Sequence, residues 1–179
     1  MEPVNYISWN KIKKFILPAI ISWIFLPSCV NEEICEDLET VPVRMGFYYV
    51  DEEEDEPQVL PIDSIYIHGL NNDSIIYDYR RDVSRIELPL NAAANTTAFL
   101  LYFPAPPEIA HLVKDTIWFT YEVKPTLISM ECGFASFFEL IEVSHSNMMI
   151  DSISIEETSV NNNLDEHIKI FPFVDDSNL

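Results

Sequence analysis

The chain has 179 residues, 48% of them hydrophobic, with 10 lysines and arginines against 30 aspartates and glutamates, a formal net charge of −20. The hydrophobic share excludes an acidic disordered tail, and the charge excludes a protein that grips nucleic-acid phosphates, which needs a basic stripe. Its glycines number only 3, Gly46, Gly69 and Gly133, too few for a phosphate-cradling loop or a dinucleotide fingerprint.

In chain order, Lys11, Lys13 and Lys14 come first, followed by a largely apolar run of 14 residues from Phe15 to Ser28 that contains Pro18. A helix that crosses the hydrocarbon core needs about 20 apolar residues, so this run is too short for a good span. It suits the helical hydrophobic region, about 7–15 residues long, of a cleavable signal peptide. The run closes on Leu26-Pro27-Ser28-Cys29, a small residue before cysteine. This order is read by the machinery that transfers a diacylglycerol to the thiol and then removes the leader. Cys29 is therefore the expected lipidation site and first mature residue, with an uncleaved N-terminal anchor as the alternative. Two or more acyl chains give stable anchoring where one gives only marginal binding.

The expected organisation is a signal peptide over residues 1–28, a lipidated tether over 29–42, a domain over 43–173 and a tail over 174–179. The leader takes three lysines and Glu2 with it. The 151 residues that follow hold 7 basic and 29 acidic residues, a net charge of −22. So acidic a surface is repelled by anionic lipid, and the membrane partner is expected to be met by the acyl chains on Cys29. With Cys29 acylated, Cys35 and Cys132 are the two cysteines left, in an exported chain where disulfides persist. A Cys35–Cys132 bridge is predicted, restricting the unfolded chain by about 4–5 kcal/mol; two free buried thiols are the alternative.

From Val43 onward the pattern is of short strands. Met45 to Val50 is aromatic and β-branched and runs into Asp51-Glu52-Glu53-Glu54-Asp55-Glu56-Pro57, a solvated loop. Ile62 to His68 and Ile75 to Tyr79 flank Gly69-Leu70-Asn71-Asn72-Asp73-Ser74, a hairpin signal. Ile86, Leu88 and Leu90 alternate with Arg85 and Glu87, which buries one face. Ala98 to Phe103 is apolar on both faces, as in a central strand. In Asp115 to Val123, Ile117, Phe119, Tyr121 and Val123 point one way and Thr116, Thr120 and Glu122 the other. Gly133 to Val143, Ile153 with Ile155, and Ile168 to Phe171 complete the series. Many short strands and no 3.6-residue period predict an all-β fold, an antiparallel β-sandwich of immunoglobulin-like or transthyretin-like order.

Catalytic, metal and cofactor motifs are not found. His68, His111, His145 and His167 are scattered without zinc spacing. Residues 51–56 offer carboxylates for calcium but lack the glycine turn and the spacing of a dedicated loop. Paired acids for glycan hydrolysis need a separation that sequence does not give. Trp118 falls on the polar side of its strand, and Tyr48, Tyr66 and Tyr79 are read as outward. Such aromatics form a ligand surface, or simply follow strand propensity.

Taken together, Cys29, Cys35, Phe47-Tyr48-Tyr49, Asp63-Ser64-Ile65, the Gly69–Ser74 hairpin, Leu88-Pro89-Leu90-Asn91, Cys132-Gly133-Phe134 and His167-Ile168-Lys169-Ile170 resemble an uncharacterised lipoprotein family of the Bacteroidota, a domain of unknown function. The resemblance implies a cell-envelope β-domain held as an outer-membrane lipoprotein. Glu32 and Glu33 are similar to a surface-export signal, which leaves the periplasmic face and the cell surface both open. It also implies O-glycosylation in Asp-Ser/Thr-apolar triplets, with Ser64, Ser74, Thr116 and Ser152 as candidates and plain turn chemistry as the alternative. The expected function is a non-enzymatic, lipid-anchored accessory or binding module for another envelope protein. An envelope enzyme such as a glycan hydrolase, and a cation-binding surface module, are the alternatives.

Overall fold

In the computed structural model, the described residues are 41–51, 56–72, 74–103, 113–130 and 132–173. They form strands β1 (Pro42–Val50), β2 (Pro57–Val59), β3 (Ile62–Gly69), β4 (Ile75–Val83), β5 (Arg85–Pro89), β6 (Thr96–Phe103), β7 (Val113–Ser129), β8 (Gly133–His145), β9 (Ile150–Ile155), β10 (Ser159–Val160) and β11 (Ile168–Pro172). No helix occurs among the described residues. The strands make two sheets. One has five strands in the order β2-β1-β11-β9, with β5 also paired to β1; the other has six in the order β10-β8-β7-β6-β3-β4.

The alternation seen in the sequence decides which face goes inward. Val43, Met45 and Phe47 of β1, Ile86 and Leu88 of β5, and Ile168 and Ile170 of β11 are buried in the five-stranded sheet. Ile65 and Ile67 of β3, Phe99, Leu101 and Phe103 of β6, and Ile117, Phe119 and Tyr121 of β7 are buried in the other. All belong to one hydrophobic core. Phe47 meets Phe103 edge-on at 6.3 Å across it. The chain passes between sheets at Ser84, where β4 becomes β5, and at Leu60-Pro61, where β2 becomes β3. Phe47 holds both crossings, its N–H donating to Ser84 O at 2.9 Å and its carbonyl accepting Leu60 N–H at 2.9 Å. As expected, β6 is a central strand, with β3 on one side and β7 on the other.

Two details depart from expectation. The sandwich is not wholly antiparallel, because β1 and β11 run parallel, Met45 opposite Ile168 and Phe47 opposite Ile170. The chain leaves β9, crosses to β10 in the other sheet and returns antiparallel to β9, which sets β11 in the direction of β1. In addition, β7 is longer than residues 115–123. From Tyr121 onward it pairs with β8 alone, down to Ser129 opposite Gly133. The tip of this two-stranded arm exposes Leu127, Met130 and Phe134. Cys132 lies in the turn there; Cys35, its expected partner, lies outside the described residues, as does Cys29.

Two polar residues are buried in this apolar frame. Asp115 sits on the inward phase of β7 at 0% exposure. Its Oδ1 accepts the Ser146 hydroxyl at 2.7 Å and Met148 N–H at 3.0 Å, and its Oδ2 accepts the N–H groups of Met149 at 2.6 Å and Ile150 at 2.7 Å. His167 clips the connection before β11 to β1. Its Nδ1 accepts Arg44 N–H at 3.0 Å, and its own N–H donates to Arg44 O at 2.9 Å.

Burial pushes the His167 pKa below its ordinary 6.5, and the nearby Arg44 charge adds to this. The unfolded chain then takes up a proton more readily than the folded one, so stability held above about pH 6.5 is lost as pH falls below it. The urea midpoint is expected to drop between about pH 7 and about pH 5.5, before most carboxylates titrate. His167→Asn, which keeps an acceptor for Arg44 N–H and cannot titrate, flattens that step. An unchanged slope in the variant refutes the assignment.

Candidate functional site

The pairing of β3 with β6 stops at Gly69 opposite Phe99. From there the chain turns away, and Thr96–Ala98 keeps a strand neighbour only on the β7 side. Local chemistry fixes the turn. Leu70 N–H donates to Ala98 O at 2.8 Å, Gly69 N–H to Ser74 O at 3.0 Å, and Ser74 N–H to Asn72 Oδ1 at 3.0 Å. Asn71 takes a left-handed φ of 65°, which asparagine tolerates. Any Cβ at Gly69 would overlap Asn72 Oδ1, so the side chain that closes the turn requires glycine there.

A second loop faces this one. After β5, Asn91 Oδ1 accepts Ala93 N–H at 2.9 Å. The Asn91 backbone is pinned from the core by Tyr121, which is 1% exposed. The phenol donates to Asn91 O at 2.9 Å and accepts Asn91 N–H at 3.0 Å, with the Thr97 hydroxyl 2.6 Å away.

Between the loops lies a cleft of about 620 Å³. Asn71, Asn72, Asn91 and Thr96 line it above a floor that includes Leu90 and Phe99, and Trp118 borders it. None of its described lining residues is charged. Trp118 stands opposite Ala98 on the outward phase of β7 and is 40% exposed.

The outward phase of the neighbouring strands continues the theme. Tyr66 stands opposite Tyr102, and His68 opposite Leu100. Tyr66 lies 5.6 Å from Tyr102 and 5.1 Å from Tyr79, while His68 stacks on Tyr102 at 5.6 Å. A bulge brings Tyr79 here. Between the Ile65–Arg80 and Ile67–Tyr77 pairs, Asp78 and Tyr79 oppose Tyr66 alone, and Tyr79 takes a φ of 44°, a conformation costly for a bulky residue.

The outward face of the five-stranded sheet is instead charged and paired, with Arg44–Glu87 at 3.1 Å, Arg85–Glu166 at 3.6 Å and Lys169–Glu156 at 3.3 Å. Tyr48 has the outward phase expected of it but is covered. It is on the outer side of β1 but only 8% exposed, because its hydroxyl donates to Glu166 Oε1 at 2.8 Å and the Lys169 ammonium covers its ring. Burial and the Glu166 carboxylate push its pKa up.

The remaining candidates do not converge. His68 is in the aromatic group, His145 is half-buried on β8, His167 is in the core, and His111 lies outside the described residues. Among the described residues no three metal-ligating side chains cluster. Residues 52–55 of the acidic loop also lie outside them. Glu139 and Glu156 are held below the usual carboxylate range by the hydroxyls of Thr158 and Ser154, whereas a general acid needs the opposite shift. Of the triplet hydroxyls, Ser74 and Ser152 are exposed while Ser64 and Thr116 are half-buried.

The paired asparagine loops were not picked out as a site from sequence. The available signal was the repeated Leu-Asn step after a strand, at Leu70-Asn71 and Leu90-Asn91. Residues 64–172, more than half of the chain, match the model of a family of unknown function, DUF6452. No curated protein matches the chain. No solved structure matches it either.

Proposed function

We propose that this chain, which belongs to the DUF6452 family of unknown function, is a non-enzymatic, lipid-anchored binding module of the cell envelope that serves beside another envelope protein. One observation carries the binding part. The outer face of the six-stranded sheet bears Trp118, Leu100, His68, Tyr102, Tyr66 and Tyr79, where a merely solvated face of an antiparallel sheet carries polar residues. The described residues lining the cleft include no carboxylate, which favours binding over hydrolysis. The leader pattern ending at Cys29 supports anchoring in the outer membrane, on its periplasmic face or at the cell surface. Acyl chains then hold the binding face at high local concentration near its partner. A Cys35–Cys132 bridge belongs to the same reading, since it ties the tether to the β7–β8 arm. For O-glycosylation this reading assigns Ser152, exposed on an edge strand, because a glycan on Ser74 would stand in the cleft.

The anchor is tested by growing cells with a clickable palmitate analogue. The native chain is expected to label and sediment with membranes, and Cys29→Ser to lose both properties. Labelling that persists in Cys29→Ser, or native protein retaining residues 1–28 and a bare Cys29 thiol, overturns the anchored reading.

A further inference from the structure

We propose that the cleft beside Trp118 binds an uncharged oligosaccharide. This rests on the binding-module reading and names the ligand of its site. Four features of the cleft agree on that chemistry.

The first is charge. The chain carries 30 acidic residues, yet none is among the described residues lining the cleft. A cationic ligand has stronger sites elsewhere on the surface, and an anionic one is repelled by the whole molecule. The second is the kind of polar group. Asn71 and Thr96 make no side-chain hydrogen bond to the described residues, and Asn72 and Asn91 commit only their Oδ1 atoms, to Ser74 and Ala93. Free amides and hydroxyls that both donate and accept match sugar hydroxyls, which do the same.

The third is Trp118, which offers an apolar ring face with an N–H at its edge. A pyranose is built the same way, apolar C–H groups on its face and hydroxyls around its rim. The fourth is the strand edge at Thr96–Ala98. It presents backbone groups to the cleft, but three residues already capped by Leu70 N–H are too short to add a peptide strand. The volume of about 620 Å³ is that of a small-molecule site. Both rims are fixed in advance, one by the Asn72 turn and the other by Tyr121, so little ordering is left for the ligand to impose.

Tryptophan fluorescence can read the site directly. The chain has 3 tryptophans, two of them Trp9 and Trp23, so the full chain carrying W9F and W23F reports from Trp118 alone. It is titrated, in a detergent without a sugar headgroup, with maltohexaose, cellohexaose, xylohexaose and mannohexaose, and with hexagalacturonate as the anionic comparator. At least one neutral hexasaccharide is expected to shift the emission saturably, and hexagalacturonate to bind more weakly. By calorimetry, Trp118→Ala weakens that binding at least tenfold and Asn71→Ala several-fold, with melting temperatures close to the parent. Binding that survives Trp118→Ala, a preference for hexagalacturonate, or no response to any neutral hexasaccharide overturns the proposal. Cys29 labelling is unaffected by these outcomes, so loss of the anchor and loss of the sugar site are told apart.

Discussion

Asp115→Ala is expected to lower the unfolding free energy by about 3–5 kcal/mol. The carboxylate is fully buried and accepts four hydrogen bonds, three of them from the consecutive N–H groups of Met148, Met149 and Ile150. Those amides belong to the turn that carries the chain from β8 in the six-stranded sheet to β9 in the five-stranded sheet. Alanine removes the carboxylate acceptor of Met149 and Ile150 N–H and leaves Met148 N–H only Ser146 O, at 3.1 Å; each buried donor so stranded costs about 1–3 kcal/mol. The Ser146 hydroxyl, which also accepts Thr116 N–H at 2.8 Å, loses its acceptor as well. Asparagine in place of Asp115 recovers little, since its NH₂ group faces amides that are themselves donors. Urea unfolding measures the loss, and hydrogen exchange should show the Met148–Ile150 amides opening first. A cost below about 1 kcal/mol contradicts this account.

Tyr121→Phe is the second large effect, expected at about 1–3 kcal/mol. The ring stays in the core against Phe138, 5.2 Å away, so packing is preserved and only the hydroxyl is lost. Asn91 O then keeps only Ala94 N–H, at 3.2 Å, and Asn91 N–H keeps only the Thr97 hydroxyl, at 3.1 Å. Because Tyr121 and Thr97 hold the same loop, the Thr97→Val and Tyr121→Phe costs should not add in a double-mutant cycle. Additive costs would mean that the network does not act as a unit.

Sheet and core positions were legible wherever a strand alternates cleanly. Ile86, Leu88 and Leu90 were assigned inward and are buried, and Ile117, Phe119 and Tyr121 likewise. What sequence did not reveal depends on partners far along the chain. Asp115 opens a strand, where an acid ordinarily signals a turn, and its acceptor role depends on amides more than thirty residues away. Tyr48 has the outward phase it was given, yet Glu166 and Lys169 cover it from over a hundred residues on. The Gly69–Ser74 hairpin was readable from its turn residues; that it faces Asn91 across a cleft was not. The leader, Cys29 and Cys35 fall outside the described residues, so their part in the account remains as proposed.

The parallel pairing of β1 with β11 fixes an order of assembly. In the six-stranded sheet, the strands from β3 to β8 meet partners made shortly before or after them. The five-stranded sheet joins its first strand to its last, with Met45 opposite Ile168, and such distant closure is slow. A chain that emerges N-terminus first therefore waits with Val43, Met45 and Phe47 uncovered on one edge until Ile168–Pro172 arrives. Loss of those final strand residues would leave the sandwich open along its middle rather than trimmed at its end.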